Sequence, residues 1–340
     1  METTSPVRPP TSEPVIRVRG LARTFKTKTG AVQAVSGIDF DVRDGEIIGL
    51  LGPNGAGKTT TLRMIATLLT PTAGEATVAG ADLRTQSRTV RSRIGYVPQG
   101  GSTSDYELVD DELILQARLF GLSKAEAVAN TAELAKALEF DGLGRRKCSQ
   151  LSGGQRRRVD IALGMVHRPF LIYLDEPTTG LDPQSRANLW EHIRRLRDEG
   201  TTVVLTTHYL EEADALCDRI LVMDHGGIVA EGTPDELKRR ISGDVISLEI
   251  DGDSAYLAME IADRVLTVRH RLRTDGHENG HAGKALVHLT VDKGDEAVVP
   301  LLHALGDQGI TPGALTVKRP SLDDVFLTLT GRSLREGNHS

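Results

Sequence analysis

Apolar residues recur along this chain with two different periods, and the changes between them mark out the elements. Val15 to Arg19 and Ile38 to Val42 alternate apolar with polar, which predicts two half-buried strands, the second closing in the turn Arg43-Asp44-Gly45. Ile47 to Leu51, Phe170 to Leu174 and Thr201 to Thr207 carry no charge at any position, as strands buried on both faces of a parallel sheet do. Helical spacing runs over Thr61 to Leu69, over the alanine-rich stretch Asp110 to Gly142, and over Arg156 to His167. A turn at Thr70 to Gly74 precedes a short edge hairpin around Ala76 to Gly80. The brief strand Ile94 to Val97 is stopped by Pro98, which delivers Gln99 into a loop. Asp218 to Met223 and Gly227 to Gly232 form a closing hairpin. The whole is an α/β pattern with a parallel core sheet, an antiparallel subdomain and a helical lobe at about residues 100–165.

From residue 240 the order is different. Strand Val245 to Ile250, helix Tyr256 to Asp263 and strand Val265 to Arg269 are followed by strand Leu286 to Val291, helix Ala297 to Leu305 and strand Ala314 to Lys318. That is a small α+β domain of ferredoxin-like type over 240–331, beside a larger domain over 15–238. At 340 residues, one large and one small domain is the expected division. Residues 1–14, rich in Pro, Ser and Thr, and 332–340 read as tails. The small domain ends in Ser321, Asp323 and Asp324 followed by Leu322, Val325, Phe326 and Leu329 at helical spacing, which predicts a capped helix with one apolar stripe ending at Gly331. The stripe is expected to pack inward on the same chain. His270, His277, His281 and His288 crowd one polar stretch without Cys or paired carboxylates, so a solvated loop is expected there rather than a metal site.

Charged residues make up 26% and apolar residues 39% of the chain, a globular composition without an apolar run near the roughly 20 residues that span a bilayer. No signal-peptide pattern opens it, so a membrane role is expected to come through a partner. A net charge of -6 argues against a nucleic-acid surface. Cys148 and Cys217 are far apart and fit no metal spacing, so they are read as buried thiols.

The candidate chemistry centres on Gly52-Pro53-Asn54-Gly55-Ala56-Gly57-Lys58-Thr59-Thr60, which joins a buried strand to a helix and fits G-x-x-x-x-G-K-[ST]. Backbone N–H groups of such a turn close around a polyphosphate at a helix N-terminus. Lys58 is then expected on the terminal phosphates and the Thr59 hydroxyl on a magnesium ion. A second helix opens behind Leu151-Ser152-Gly153-Gly154-Gln155, giving one chain two phosphate half-sites. Arg156, Arg157 and Arg158 are most simply a solvated face of that helix. The strand ending at Asp175 and Glu176 places two carboxylates where parallel sheets bind ligands, one suited to magnesium and the other to polarising a water. His208 ends another such strand. Gln99 is either an ordinary loop amide or a group that ligates magnesium or orients the attacking water. Phe25, in a short polar segment, reads equally as a packing anchor or as a platform for an adenine ring.

Together these residues resemble the ATP-binding subunit of an ATP-binding cassette (ABC) transporter over about residues 15–238, a P-loop NTPase. The resemblance implies that Phe25 stacks on adenine, Gly52 to Thr60 is the Walker A loop, and Gln99 belongs to the Q-loop. It makes Leu151 to Gln155 the signature and Leu171 to Asp175 the core of Walker B. Glu176 becomes the catalytic carboxylate, Gly180, Leu181, Asp182 and Pro183 the D-loop, and His208 the switch histidine. Thr59, Gln99 and Asp175 would then be the magnesium set, and ATP and Mg2+ the cofactors. The family pattern also implies a head-to-tail homodimer, each ATP lying between one chain's Walker A loop and the other's signature, docked on a separate permease. Val109 and Leu113 depart from the Thr and Asn common at those positions. The ending from Ser321 to Gly331 resembles the daunorubicin-resistance subgroup of exporter ATPases, which implies efflux of a hydrophobic compound at the cytoplasmic face of the membrane. Two other classes compete. A cassette ATPase acting on ribosome or nucleic acid would commonly show two cassettes or a long coiled-coil insertion, and a regulatory ATP sensor would be expected to lack Glu176 or His208.

Overall fold

The computed structural model describes residues 13–28, 30–241, 243–275, 284–318, and 321, 322, 325, 326 and 329. Strands β1 (Ile16–Thr27) and β2 (Gly30–Val42) form one long antiparallel hairpin, and both run past the stretches that alternate. Their outer halves are half-buried or exposed on both faces, so no alternation marks them in the sequence. Phe25, expected in a loop, is therefore a strand residue opposite Val32.

Strand β3 (Ile47–Leu51), buried at every position, leads into helix α1 (Lys58–Ile65). Strands β4 (Ala73–Val78) and β5 (Ala81–Asp82) complete an antiparallel sheet in the order β2-β1-β4-β5. Helix α2 (Ser87–Arg93) and strand β6 (Ile94–Val97) follow, then the lobe helices α3 (Val109–Leu119), α4 (Lys124–Ala137) and α5 (Gly153–Met165). Helix α4 starts at Ser123, whose capping box with Glu126 supplies two of the first-turn hydrogen bonds. Strand β7 (Leu171–Asp175), helix α6 (Pro183–Asp198), strand β8 (Thr202–Thr207), helix α7 (Leu210–Leu216) and the hairpin β9 (Arg219–Asp224) and β10 (Gly227–Gly232) close the unit. The second sheet has the order β10-β9-β3-β8-β7-β6 and is parallel except at β10.

Both sheets share one apolar core. Val18 and Phe40 of the hairpin, Leu62, Met64 and Ile65 of α1, and Leu50, Tyr173 and Leu221 of the parallel strands belong to a single buried cluster. Each fully buried aliphatic side chain of this kind stabilises the unit by about 1.5–3 kcal/mol. The phosphate loop at the start of α1 is thus anchored from below by the helix's own packing.

The described residues divide at Thr233, slightly ahead of the expected 238–240. The reason is local: Pro234 opens helix α8 (Pro234–Ile241), where its fixed φ and missing N–H suit a first helical position. The second unit continues with β11 (Asp244–Asp251), α9 (Ala255–Val265), β12 (Val268–Asp275), β13 (Lys284–Val291), α10 (Gly294–Asp307) and β14 (Ala314–Lys318). Its antiparallel order β12-β13-β11-β14 is the ferredoxin-like arrangement. Ile246, Leu248 and Ile250 alternate onto a core with Val287, Leu289, Ala258, Ile261, Leu301 and Leu305. His288 lies on the opposite face, its Nδ1 2.8 Å from Ser247 Oγ, whereas His277 and His281 fall outside the described residues.

At the chain's end the Val325 N–H donates to Ser321 O at 3.2 Å, a helical hydrogen bond, while Asp323, Asp324 and Gly331 fall outside the described residues. Leu322, Val325 and Phe326 are buried within the chain, and Leu329 is 39% exposed. Three members of the stripe are thus covered by this chain itself.

Two predictions follow from this burial. Phe326→Asp removes a buried ring and places a charge in its site, so it is expected to cost at least about 3 kcal/mol and lower the melting temperature of the isolated chain by roughly 10 °C or more. Unchanged melting would mean that a partner covers the ring. Cys148 and Cys217 are buried free thiols. Burial, then the hydrogen bond to Glu112, pushes the Cys148 thiol up to about 12, and burial raises Cys217 also. Thiolate is the reactive form, so iodoacetamide at neutral pH should label neither in the native chain and both in denaturant, read by intact mass.

Candidate active site

The loop between β3 and α1 is shaped by what closes on it. A Cβ at Gly52 would stand 2.2 Å from Met223 O, and one at Gly57, whose φ is 100°, would stand 2.6 Å from Ala34 O. Only glycine lets β9 and the β1-β2 hairpin approach this closely. Pro53 O accepts the Ala56 N–H at 3.2 Å, Asn54 and Gly55 form the exposed tip, and Thr60 is half-buried on α1. Among the described residues no side chain caps α1, so its first N–H groups are left for an anion. Lys58 is 4% exposed and its Nζ donates to Gly52 O at 2.6 Å and Pro53 O at 3.0 Å. Burial lowers its pKa, and the carboxylates of Glu176 and Asp175 work against that shift.

Across the sheet, the ends of β3, β8, β7 and β6 converge. Asp175 is fully buried, and its Oδ1 accepts the hydroxyls of Thr59 at 2.8 Å and Thr206 at 2.6 Å. Its Oδ2 is buried and has no hydrogen-bond partner among the described residues. A buried carboxylate oxygen left over beside a phosphate loop and a threonine hydroxyl is an acceptor set that suits a hard divalent cation. Glu176, one residue on, receives the Gln99 amide on Oε2 at 2.8 Å and the Thr179 hydroxyl on the same oxygen at 3.1 Å. His208 Nδ1 lies 3.2 Å from that oxygen, and Lys58 Nζ 3.9 Å from Oε1. Burial pushes the Glu176 carboxyl up, but the nearby His208, Lys58 and the Thr179 hydroxyl bring it below its ordinary value. It is therefore ionised at neutral pH. The Glu176 backbone has φ 44°, a left-handed conformation rare outside glycine.

The second half-site opens α5. Ser152 Oγ accepts the Gln155 N–H at 3.3 Å and the Gln155 side chain accepts the Ser152 N–H at 3.0 Å. Gly153 is exposed, and Leu151 and Gly154 are half-buried. Gly154 packs on α6, where a Cβ would stand 2.9 Å from Ser185 Oγ. Asp182 caps α6 by accepting the Ser185 N–H at 2.9 Å, after Gly180 at φ 78° and half-buried Leu181. Among the described residues no hydrogen bond joins Leu151 to Gln155 with Gly52 to Thr60.

Phe25 is half-buried, and the Arg23 guanidinium lies 4.6 Å over its ring. A cavity of about 310 Å³ is lined by Tyr96, Leu115, Gln116, Phe120, Leu163 and His167, none of them a predicted site residue. His167 stacks on Phe120 at 3.7 Å, and burial holds its pKa down to about 4. Val109 and Leu113 are fully buried in the lobe, which explains apolar residues at those positions.

Three groups around the site were not singled out from the sequence. Thr206 donates to Asp175 and accepts the Glu176 N–H at 2.9 Å. Its signal was available: hydroxyls at the end of a fully buried strand need partners. Glu212, fully buried on α7, accepts Thr178 Oγ1 at 2.8 Å and the Trp190 indole N–H at 3.2 Å, and burial raises its pKa. Arg157 corrects the expectation of a solvated arginine face. It is 6% exposed, because α5 turns that position toward the end of β7, while Arg156 and Arg158 stay half-exposed.

Comparison with known proteins agrees with this geometry. The ABC transporter family profile matches residues 35–179, and the profile of the DrrA1-3-like ATP-binding protein C-terminal domain matches residues 232–330. The chain is 41% identical to daunorubicin resistance ATP-binding protein DrrA2 of Streptomyces coeruleorubidus, over 91% of this chain and 94% of that protein. It is 35% identical to linearmycin resistance ATP-binding protein LnrL of Bacillus subtilis, over 93% of this chain and 99% of that protein. A dimeric ATP-binding cassette solved in a post-hydrolysis state with ADP and Pi superposes with TM-score 0.59 at 26% identity, over 64% of this chain and 98% of that one. The chain therefore belongs to the ATP-binding subunits of ABC transporters, as an ATP-binding and ATP-hydrolysing P-loop cassette that carries a DrrA-like C-terminal domain.

Proposed function

We propose that this chain powers export of a hydrophobic, drug-like compound, working as a head-to-tail homodimer on the cytoplasmic face of the membrane and docked on a separate permease. Among the described residues no helix is long and apolar enough to cross a membrane. The names of the relatives, which concern resistance to daunorubicin and linearmycin, support the export class. The observation that carries the hydrolytic reading is the convergence of Gln99, Thr179 and His208 on one oxygen of an ionised Glu176, beside the Thr59–Asp175 pair.

In this reading the N–H groups of Gly52 to Thr60 and Lys58 hold the phosphates, and Phe25 stacks on the base. Thr59, Asp175 and Gln99 would hold magnesium, which neutralises charge between phosphate oxygens when bound. Glu176 accepts the proton of the attacking water, His208 and Gln99 orient that water and the carboxylate, and the partner's copies of Ser152, Gly153 and Gly154 close the other side of the phosphate.

Glu176→Gln keeps the phosphate loop and removes the proton acceptor. ATP binding should persist while turnover falls by about 10²-fold or more, and gel filtration with ATP and magnesium should show a trapped dimer. Near-native turnover would sink the role of Glu176. Ser152→Arg puts a bulky cation in the half-site offered to a partner. A fluorescent-nucleotide titration of the monomer should be unchanged while phosphate release is lost. Equal losses of binding and hydrolysis would refute the shared site.

A further inference from the structure

Arg157 reaches the main chain on both sides of the hydrolytic pair. Its Nε donates to Pro177 O at 2.7 Å and one terminal nitrogen to Pro98 O at 2.8 Å. The other terminal nitrogen donates to Asp175 O at 3.0 Å, with a longer contact of 3.4 Å to Glu176 O. Pro98 immediately precedes Gln99, and Asp175 and Pro177 bracket Glu176. One planar guanidinium therefore sets the spacing between the two backbones whose side chains meet at 2.8 Å. A lysine has a single donor centre and lacks the rigid fork that can serve all these carbonyls at once.

Two other polar groups of α5 hold a different part of the loop. Asp160 Oδ1 accepts the N–H groups of Ser102 at 2.7 Å and Thr103 at 3.0 Å, and Arg156 Nε donates to Thr103 Oγ1 at 2.7 Å. These bonds fix the segment beyond Gln99 and make no contact with the end of β7. Arg157 is the α5 side chain that spans both loops, and it stands on the same helix that Ser152 caps.

We propose that Arg157 is a positioning residue for hydrolysis. It keeps Gln99 and Glu176 in register with each other, and it ties that pair to the helix whose first turn meets the partner's nucleotide. Seating α5 on one ATP and aligning Glu176 over the other are then a single mechanical event in each chain. This rests on the head-to-tail dimer and the role of Glu176 proposed above.

The test uses the full-length chain, measuring steady-state ATP turnover, fluorescent-nucleotide binding and melting for wild type, Arg157→Lys and Arg157→Gln, and the same substitutions combined with Glu176→Gln. A misplacement of about 1 Å at a reacting group costs roughly 10²-fold, so kcat of Arg157→Gln should fall by about that factor, with Arg157→Lys between it and wild type. KM for ATP should stay within about twofold, because Lys58 and Thr59 are untouched. In the Glu176→Gln background the substitution should slow the residual rate no further, since both changes remove one alignment. A kcat within about twofold of wild type, or a second full loss on top of Glu176→Gln, overturns the proposal. If Arg157→Gln fails to fold, Arg157→Lys, which keeps the charge, carries the same comparison. Wild-type chain that neither hydrolyses ATP nor dimerises with it would instead overturn the function on which this rests.

Discussion

Two adjacent carboxylates at the end of a buried strand are the constraint to which the rest of this cassette answers. Asp175 is fully buried and Glu176 is 6% exposed, and an uncompensated buried carboxylate costs several kcal/mol. The compensation comes from segments far apart in sequence: Thr59 and Lys58 from the phosphate loop, Thr206 and His208 from the end of β8, and Gln99 from the loop after β6. The strand order makes this possible. With β7 between β8 and β6, and β3 on the far side of β8, the ends that carry donors lie around the end that carries charge. A parallel sheet thus solves a desolvation problem and assembles the proposed hydrolytic site with the same set of bonds.

The geometry at Glu176 has its own cost. A non-glycine residue at φ 44° is strained by about 1–3 kcal/mol, and such strain persists only where neighbours overdetermine the backbone. Here they do. The Glu176 N–H is held by Thr206, through the carbonyl at 3.2 Å and the hydroxyl at 2.9 Å, while Arg157 takes the carbonyls on either side. Burial lowers the Arg157 pKa, which nearby carboxylates oppose, so the guanidinium remains a cation held by peptide dipoles. The kink in the main chain turns the carboxylate out of the strand direction toward Gln99 and His208. The strained backbone and the clamp that holds it are one feature.

How much of this could be read in advance depends on where each signal lives. The phosphate loop and the buried strands were legible because glycine placement and continuous apolar runs are local consequences of tight turns and two-faced burial. The C-terminal order of strands and helices was legible for the same reason: Ile246, Leu248 and Ile250 alternate cleanly onto one core. The outer half of the β1-β2 hairpin was not, since a ribbon without a buried face leaves no period, and Phe25 reads as a loop residue in consequence. Arg157 was invisible in a different way. Three consecutive arginines on a helix look alike, yet successive positions are about 100° apart, so the run must sweep past the core on one of them. Which one is decided by the packing of α5 against β6 and the end of β7, and the chain's local pattern does not contain that.

The turn that opens α5 shows what such a cassette still needs. A serine hydroxyl offers one donor and two acceptor sites, and Ser152 uses an acceptor site for the Gln155 N–H, while the Gln155 side chain is spent on the Ser152 N–H. What the turn presents outward is therefore the Ser152 O–H and the N–H groups of Gly153 and Gly154, donors without a matching acceptor of their own. The phosphate loop is likewise a set of N–H groups and an ammonium. Both surfaces are rich in donors, and among the described residues no hydrogen bond joins them. Both suit an anion, and the proposed head-to-tail dimer, which the family resemblance implies, would bring the phosphate loop of one copy and the Ser152 turn of the other to the same phosphate.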